Sequence, residues 1–304
     1  MPGVAILGGG NVGATTAFFM AEKGIHDVVL YDIQAGIPAG KALDIMEAAP
    51  LRKYRGRIRG QDSLESLRNA DIVVLAAGRP RQPAMNREAL FEANCALIES
   101  LASEIPQLSP CCNVIVATEP VDRMTHRFVC ASGLPPRQVM GLGCCLDTVR
   151  MRHAIAREMG VTVDNVSALV IGLHTKTMLL LPEYSNVGGV PVGELLAPEA
   201  ILRLENEVRE AGDVIVEKAK RASSHYAPAA LIAELAESML LDARRVFSVS
   251  VELEGQYGLT GIALSLPAVI GKEGVVKVLE PMLSDAQRKQ LGDSVQPMEG
   301  GQYA

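Results

Sequence analysis

The chain has 304 residues, enough for about two domains at a typical 100–200 residues each. With 48% hydrophobic and 21% charged residues it has an ordinary folded composition, which excludes a disordered chain. Its net charge of −6 argues against a protein that coats nucleic acid, and no apolar run reaches the roughly 18 residues of a membrane span. The N-terminus shows no basic segment followed by a long apolar core, so no secretory leader is expected. The cysteines include two adjacent pairs, Cys111–Cys112 and Cys144–Cys145, and no C-x-x-C spacing occurs. Reduced, mostly buried thiols in the cytoplasm are expected, with no bound metal.

The first half alternates short apolar strands with longer helices. Strands are expected at Val4–Leu7, Val28–Tyr31, Ile72–Ala76, Asn113–Ala117 and Val139–Gly141. Helices are expected at Asn11–Lys23, Gly36–Ala49 and Arg87–Leu108. That alternation argues for a parallel sheet covered on both faces. The second half is less regular. It reads as a helix at Asp147–Met159, a strand at Val166–Ile171 and a Gly/Pro-rich loop at Leu181–Pro191. Helices at Pro198–Arg221 and Pro228–Leu241, strands at Arg245–Glu252 and Gly261–Ile270, and a helix at Ser284–Leu291 follow. The fold class is therefore α/β: a doubly wound parallel sheet of Rossmann type over residues 1–143, then an α+β domain over 144–304.

Gly8-Gly9-Gly10-Asn11-Val12-Gly13 fits G-x-G-x-x-G between a strand and a helix. Gly8 permits a tight turn, Gly10 lets backbone approach a pyrophosphate, and Gly13 lets the helix sit close to the strand. Asn11 and Val12 open the helix, whose free N–H groups and positive dipole end suit the anion. Asp32 ends the second strand, where a carboxylate binds both ribose hydroxyls and repels a 2′-phosphate. NAD is expected rather than NADP. Further on, three arginines, Arg79, Arg81 and Arg87, crowd the loop after the Ile72 strand. Guanidinium groups at such a carboxyl-end loop suit an anion. Asp147 and His174 are a carboxylate and an imidazole that a fold can bring together for proton transfer.

In order, the segments GGGNVG, AAGRPRQPAMNR, ATEPVD, LDTVRMR, VIGLH, LPEYSNVGGVPV and HYAPA resemble the NAD-dependent malate/lactate dehydrogenase family. The likeness is greatest to its malate dehydrogenases of lactate-dehydrogenase type. The resemblance implies interconversion of (S)-malate and oxaloacetate by hydride transfer. It makes His174 the acid/base and Asp147 its orienting partner. It gives Arg150 the substrate's C1 carboxylate, Arg87 the carbonyl, and Arg81 a second carboxylate, so that the partner is a dicarboxylic 2-hydroxy or 2-oxo acid. Ala77, Gly78, Asn94 and Thr118 join the glycine loop and Asp32 as cofactor contacts. A homodimer or homotetramer is implied.

Three places depart from the family pattern, one of them Ala84, which replaces the usual glycine of the arginine loop. Glu119 stands where the family has an asparagine that contacts the nicotinamide ribose region and the substrate oxygen, which makes it a candidate substrate-binding residue, and Thr175-Lys176 replaces Gly-Asp. Another 2-hydroxy acid such as lactate, or an NAD-binding partner without turnover, are the alternatives these leave open. Residues two apart share a side of an extended segment, so Lys176 is expected to form a salt bridge to Glu119 beside His174. In Arg52–Arg59, Arg55, Arg57 and Arg59 alternate, as on one face of a charged edge strand.

Overall fold

The computed structural model describes residues 3–25, 27–79, 87–220, 224–295, 297–298 and 302–303. Strands β1 (Val4–Leu7), β2 (Val28–Tyr31), β3 (Ile58–Gln61), β4 (Ile72–Leu75), β5 (Asn113–Val116) and β6 (Val139–Gly141) pair in parallel. Their spatial order is β3-β2-β1-β4-β5-β6. The strands β1, β4 and β5 are buried at every position. Continuous apolar runs fit because helices cover both faces. Helices α1 (Asn11–Glu22), α2 (Ile37–Glu47), α3 (Arg87–Leu108) and α4 (Val121–Ser132) connect the strands. The strand order reverses between β1 and β4. In an open parallel sheet the crevice at that reversal, beyond the carboxyl ends of the strands, is where a ligand fits.

The sheet continues into the second half. Helix α5 (Cys145–Met159) leaves β6, and α6 (Pro198–Ala219) and α7 (Tyr226–Leu240) follow. Strand β7 (Arg245–Glu254) then pairs antiparallel with β6 through Ser250 and Gly141. Strands β8 (Thr260–Gly271) and β9 (Gly274–Val278) extend it to nine strands. Helix α8 (Asp285–Ser294) starts with a capping box between Ser284 and Gln287. No helix among the described residues is long and apolar enough to cross a membrane.

Several expectations need correction. Helix α4 was not foreseen, because Arg123, His126 and Arg127 mask its buried stripe of Val121, Met124 and Phe128. The expected strand Val166–Ile171 splits in two. Residues 166–167 pair with 186–187, and residues 170–171 pair with 179–180. Val170 gives its N–H to Thr148 Oγ1 at the break. Strand β9 was also missed. Cys111 and Cys130 are exposed rather than buried; all six cysteines are free thiols. Arg55, Arg57 and Arg59 all face solvent, but only Arg59 lies in β3, the sheet edge; Arg55 and Arg57 sit in the irregular segment before it, where Tyr54 is buried.

Candidate active site

The glycine loop closes β1 onto α1 with almost no space. At Gly8, with φ 110°, a Cβ would lie 2.6 Å from the Ala76 carbonyl oxygen. At Gly13 it would lie 1.9 Å from the Gly8 oxygen. These two glycines are required by close approach and, at Gly8, by a positive φ. Gly10 differs: it is exposed, and a Cβ there would meet nothing within 4 Å. Gly10 stands at the N-cap of α1 and has no side chain to occupy the first N–H groups of the helix. That is an open cradle for an anion. Asp32 lies beside it, with Oδ2 accepting the Gly9 N–H at 2.7 Å and Oδ1 the Gln34 N–H at 2.9 Å. Those two bonds fix the carboxylate and leave lone pairs for a diol.

Across the crevice, two side chains lace the strand-end loops together. Asn94, buried on α3, accepts the Arg79 N–H at 2.8 Å and donates to the Glu119 carbonyl at 2.8 Å. Thr118 donates to the Ala77 carbonyl at 2.6 Å. Gly78, at φ 153°, passes so close that a Cβ would stand 2.8 Å from Thr118 Cγ2. Both polar side chains are thus engaged with backbone. Arg81 lies outside the described residues, as does the side chain of Arg87, which begins α3.

His174 sits where these loops meet the second half. Gly172 exchanges two backbone hydrogen bonds with Ser265 of β8, at 2.9 and 2.8 Å. Ser265 Oγ also accepts the Cys144 N–H at 2.8 Å, just before α5. One strand therefore places both the histidine loop and the helix that carries Asp147. The fully buried Asp147 accepts His174 Nδ1–H with Oδ2 at 2.5 Å, and Arg150 Nη1 reaches its Oδ1 at 2.9 Å. Asp122, at the start of α4, accepts the His174 backbone N–H at 2.6 Å. Sequence reading had passed over Asp122 as a site residue, although it ends the ATEPVD segment. Buried as it is, its carboxyl is pushed up to about 6, against the pull of the His174 N–H.

Glu119 Oε1 lies 3.8 Å from His174 Nε2, and its Oε2 accepts the Val121 N–H at 3.3 Å. The expected Glu119–Lys176 bridge does not form. Lys176 instead pairs with Glu210 at 2.8 Å and Asp213 at 3.2 Å on α6. The segment after His174 is a turn, closed by Met178 N–H to the Thr175 carbonyl, so the alternation of an extended strand does not apply.

Burial alone pushes the His174 imidazole down, but the Asp147 carboxylate outweighs it and holds the ring up at about 9, above the ordinary 6.5. A free site near neutral pH thus holds a proton ready to give. A raised pKa stabilises fully below about pH 6.5, and that contribution is lost as pH climbs through about 9. The melting-temperature advantage of the native protein over His174→Gln should therefore shrink steadily from pH 6.5 to 9.5. A constant difference across that range would contradict the pairing.

Comparison with known proteins shows the family. Residues 3–141 match the lactate/malate dehydrogenase NAD binding domain, and residues 144–299 match the family's alpha/beta C-terminal domain. The malate dehydrogenase of Thermomicrobium roseum is 40% identical, covering 95% of this chain and 93% of its own. That of Bacillus subtilis is 39% identical, covering 97% and 96%. Among solved structures, Cryptosporidium parvum malate dehydrogenase superposes with a TM-score of 0.94 at 34% identity, over 97% of this chain and 96% of that one. The lactate dehydrogenase of the same organism, complexed with lactic acid and nicotinamide adenine dinucleotide, gives 0.92 at 33% identity, over 95% and 93%. Taken with the glycine loop and the loops that converge on His174, these matches place the chain in the lactate/malate dehydrogenase family.

Proposed function

We propose that the protein is an NAD-dependent dehydrogenase that interconverts (S)-malate and oxaloacetate. The observation that carries this reading is the chain Arg150–Asp147–His174, built around the fully buried Asp147. NAD fits that crevice: Gly10 and the uncapped start of α1 suit its pyrophosphate, and the fixed Asp32 carboxylate suits a ribose diol. Held there, NAD would supply the hydride acceptor for malate oxidation and, as NADH, the hydride donor for oxaloacetate reduction.

The protein's own groups do the rest. Hydride addition to a carbonyl builds negative charge on oxygen, and His174 gives that oxygen its Nε2 proton; in the other direction it takes the proton back. Asp147 holds the ring in one orientation and stabilises its charged form. Arg150 spends one N–H donor on Asp147 and keeps others for the C1 carboxylate. Arg87 polarises the carbonyl and Arg81 takes the second carboxylate. Asn94 and Thr118 hold the loops around the cofactor by their backbone bonds.

The reading divides the chain at residue 143, with 1–143 for NAD and 144–304 for substrate. It also makes the protein a cytoplasmic homodimer or homotetramer. In support, Ile37, Leu43 and Leu51 on and after α2 are exposed apolar side chains that a second copy would cover. A cofactor test comes first. With oxaloacetate as acceptor, NADH should exceed NADPH in kcat/KM by about a hundredfold or more, because Asp32 repels a 2′-phosphate. Comparable values would remove the role given to Asp32.

A further inference from the structure

The reaction as written leaves Glu119 without a task. Its carboxylate is 42% exposed, follows the carboxyl end of β5, and places Oε1 3.8 Å from Nε2, the nitrogen that on this reading meets substrate. A proton donor works at about 2.6–3.2 Å from its acceptor oxygen, so a substrate oxygen and the Glu119 carboxylate compete for one side of the ring. We propose that Glu119 caps the reacting nitrogen of His174 in the substrate-free enzyme, pairing with the imidazolium until the substrate oxygen displaces it. This rests on the reading of His174 as the proton carrier.

The other charged groups around His174 act elsewhere. From α5, Asp147 takes Nδ1 and Arg150 takes Asp147. From α4, Asp122 takes the backbone N–H. On the histidine's own loop, Lys176 turns away to Glu210 and Asp213 of α6. The buried Cys144 thiol gives its S–H to the Gly172 carbonyl. Among the described residues, Glu119 is the ion-pair partner at Nε2. An opposite charge within about 4–6 Å favours the charged form of a group, and partial exposure weakens that effect.

Two consequences can be measured. Malate oxidation needs Nε2 unprotonated, so the cap moves this direction to higher pH. Oxaloacetate brings its own negative charge to the place where Glu119 sits, so the cap raises its KM. Glu119→Gln keeps an acceptor for the Val121 N–H and removes the charge. The pH of half-maximal kcat/KM for malate oxidation should fall by about one unit, a tenfold gain on its acid side. The KM for oxaloacetate should fall several-fold, with NADH affinity unchanged.

The second readout does not depend on turnover. In cofactor-free protein carrying 13C-labelled histidine, with the His174 signal identified by its loss in His174→Gln, the imidazole midpoint should also fall by about one pH unit in Glu119→Gln. A midpoint that stays within about 0.3 unit of the native one overturns the cap even if both proteins turn over malate. A midpoint that moves while neither protein turns over malate or oxaloacetate supports the cap and removes the substrate assignment.

Discussion

Replacing His174 with asparagine should cut oxaloacetate reduction by about 10³-fold or more while NADH binding stays within about twofold. The amide occupies part of the imidazole's space and can still donate to Asp147, but it has no proton to release near neutral pH. The glycine loop and Asp32 lie on β1, α1 and β2, and none of the hydrogen bonds that shape them involves the His174 side chain. The backbone N–H to Asp122 also survives the change. Fluorescence titration with NADH and single-turnover kinetics separate the two effects. Near-native turnover would remove His174 from the chemistry. Loss of NADH binding in step with turnover would mean the variant had damaged the fold.

Replacing Arg150 with leucine should lower kcat/KM for oxaloacetate by about 10²–10³-fold. Removing one partner of a desolvated charge pair costs about 2–5 kcal/mol, and each 1.4 kcal/mol is tenfold. The loss has two sources. On the proposed reading the substrate's C1 carboxylate loses its guanidinium, and Asp147 loses the Arg150 donor on its Oδ1. Lysine restores a point charge without the planar fork, so Arg150→Lys should recover only part of the loss, about tenfold over leucine. Steady-state kinetics on both variants test this. A leucine variant within about threefold of the native enzyme would show that another group binds that carboxylate.

The nucleotide-binding half was legible because its signals are local. The GGGNVG loop and Asp32 depend on backbone freedom and on strand ends, which short-range pattern reports directly, and the structure adds the Gly9–Asp32 bond that links them. The pairing of Asp147 with His174 was not local, since 27 residues separate the two. It came from likeness to a family. What stayed hidden depends on tertiary placement. Asp122 looked like part of a loop until α4 and the histidine loop met around it. Lys176 was assigned the wrong partner because a turn, not a strand, follows His174, and the acidic pair that attracts it lies on a distant helix. Glu119 is unusual already in the sequence, but its approach to Nε2 depends on how the β5 end and the histidine loop meet in the fold.

The most direct test of the malate assignment is NADH oxidation by the native protein with a panel of 2-oxo acids: oxaloacetate, pyruvate, 2-oxobutyrate and 2-oxoglutarate. On the proposed reading, in which Arg81 takes the second carboxylate, the four-carbon dicarboxylate should be favoured by about a hundredfold or more in kcat/KM over pyruvate. Oxaloacetate far ahead of the rest is the predicted result. Pyruvate or another acid equal to or ahead of oxaloacetate, or no turnover with any of them while NADH still binds, would contradict it.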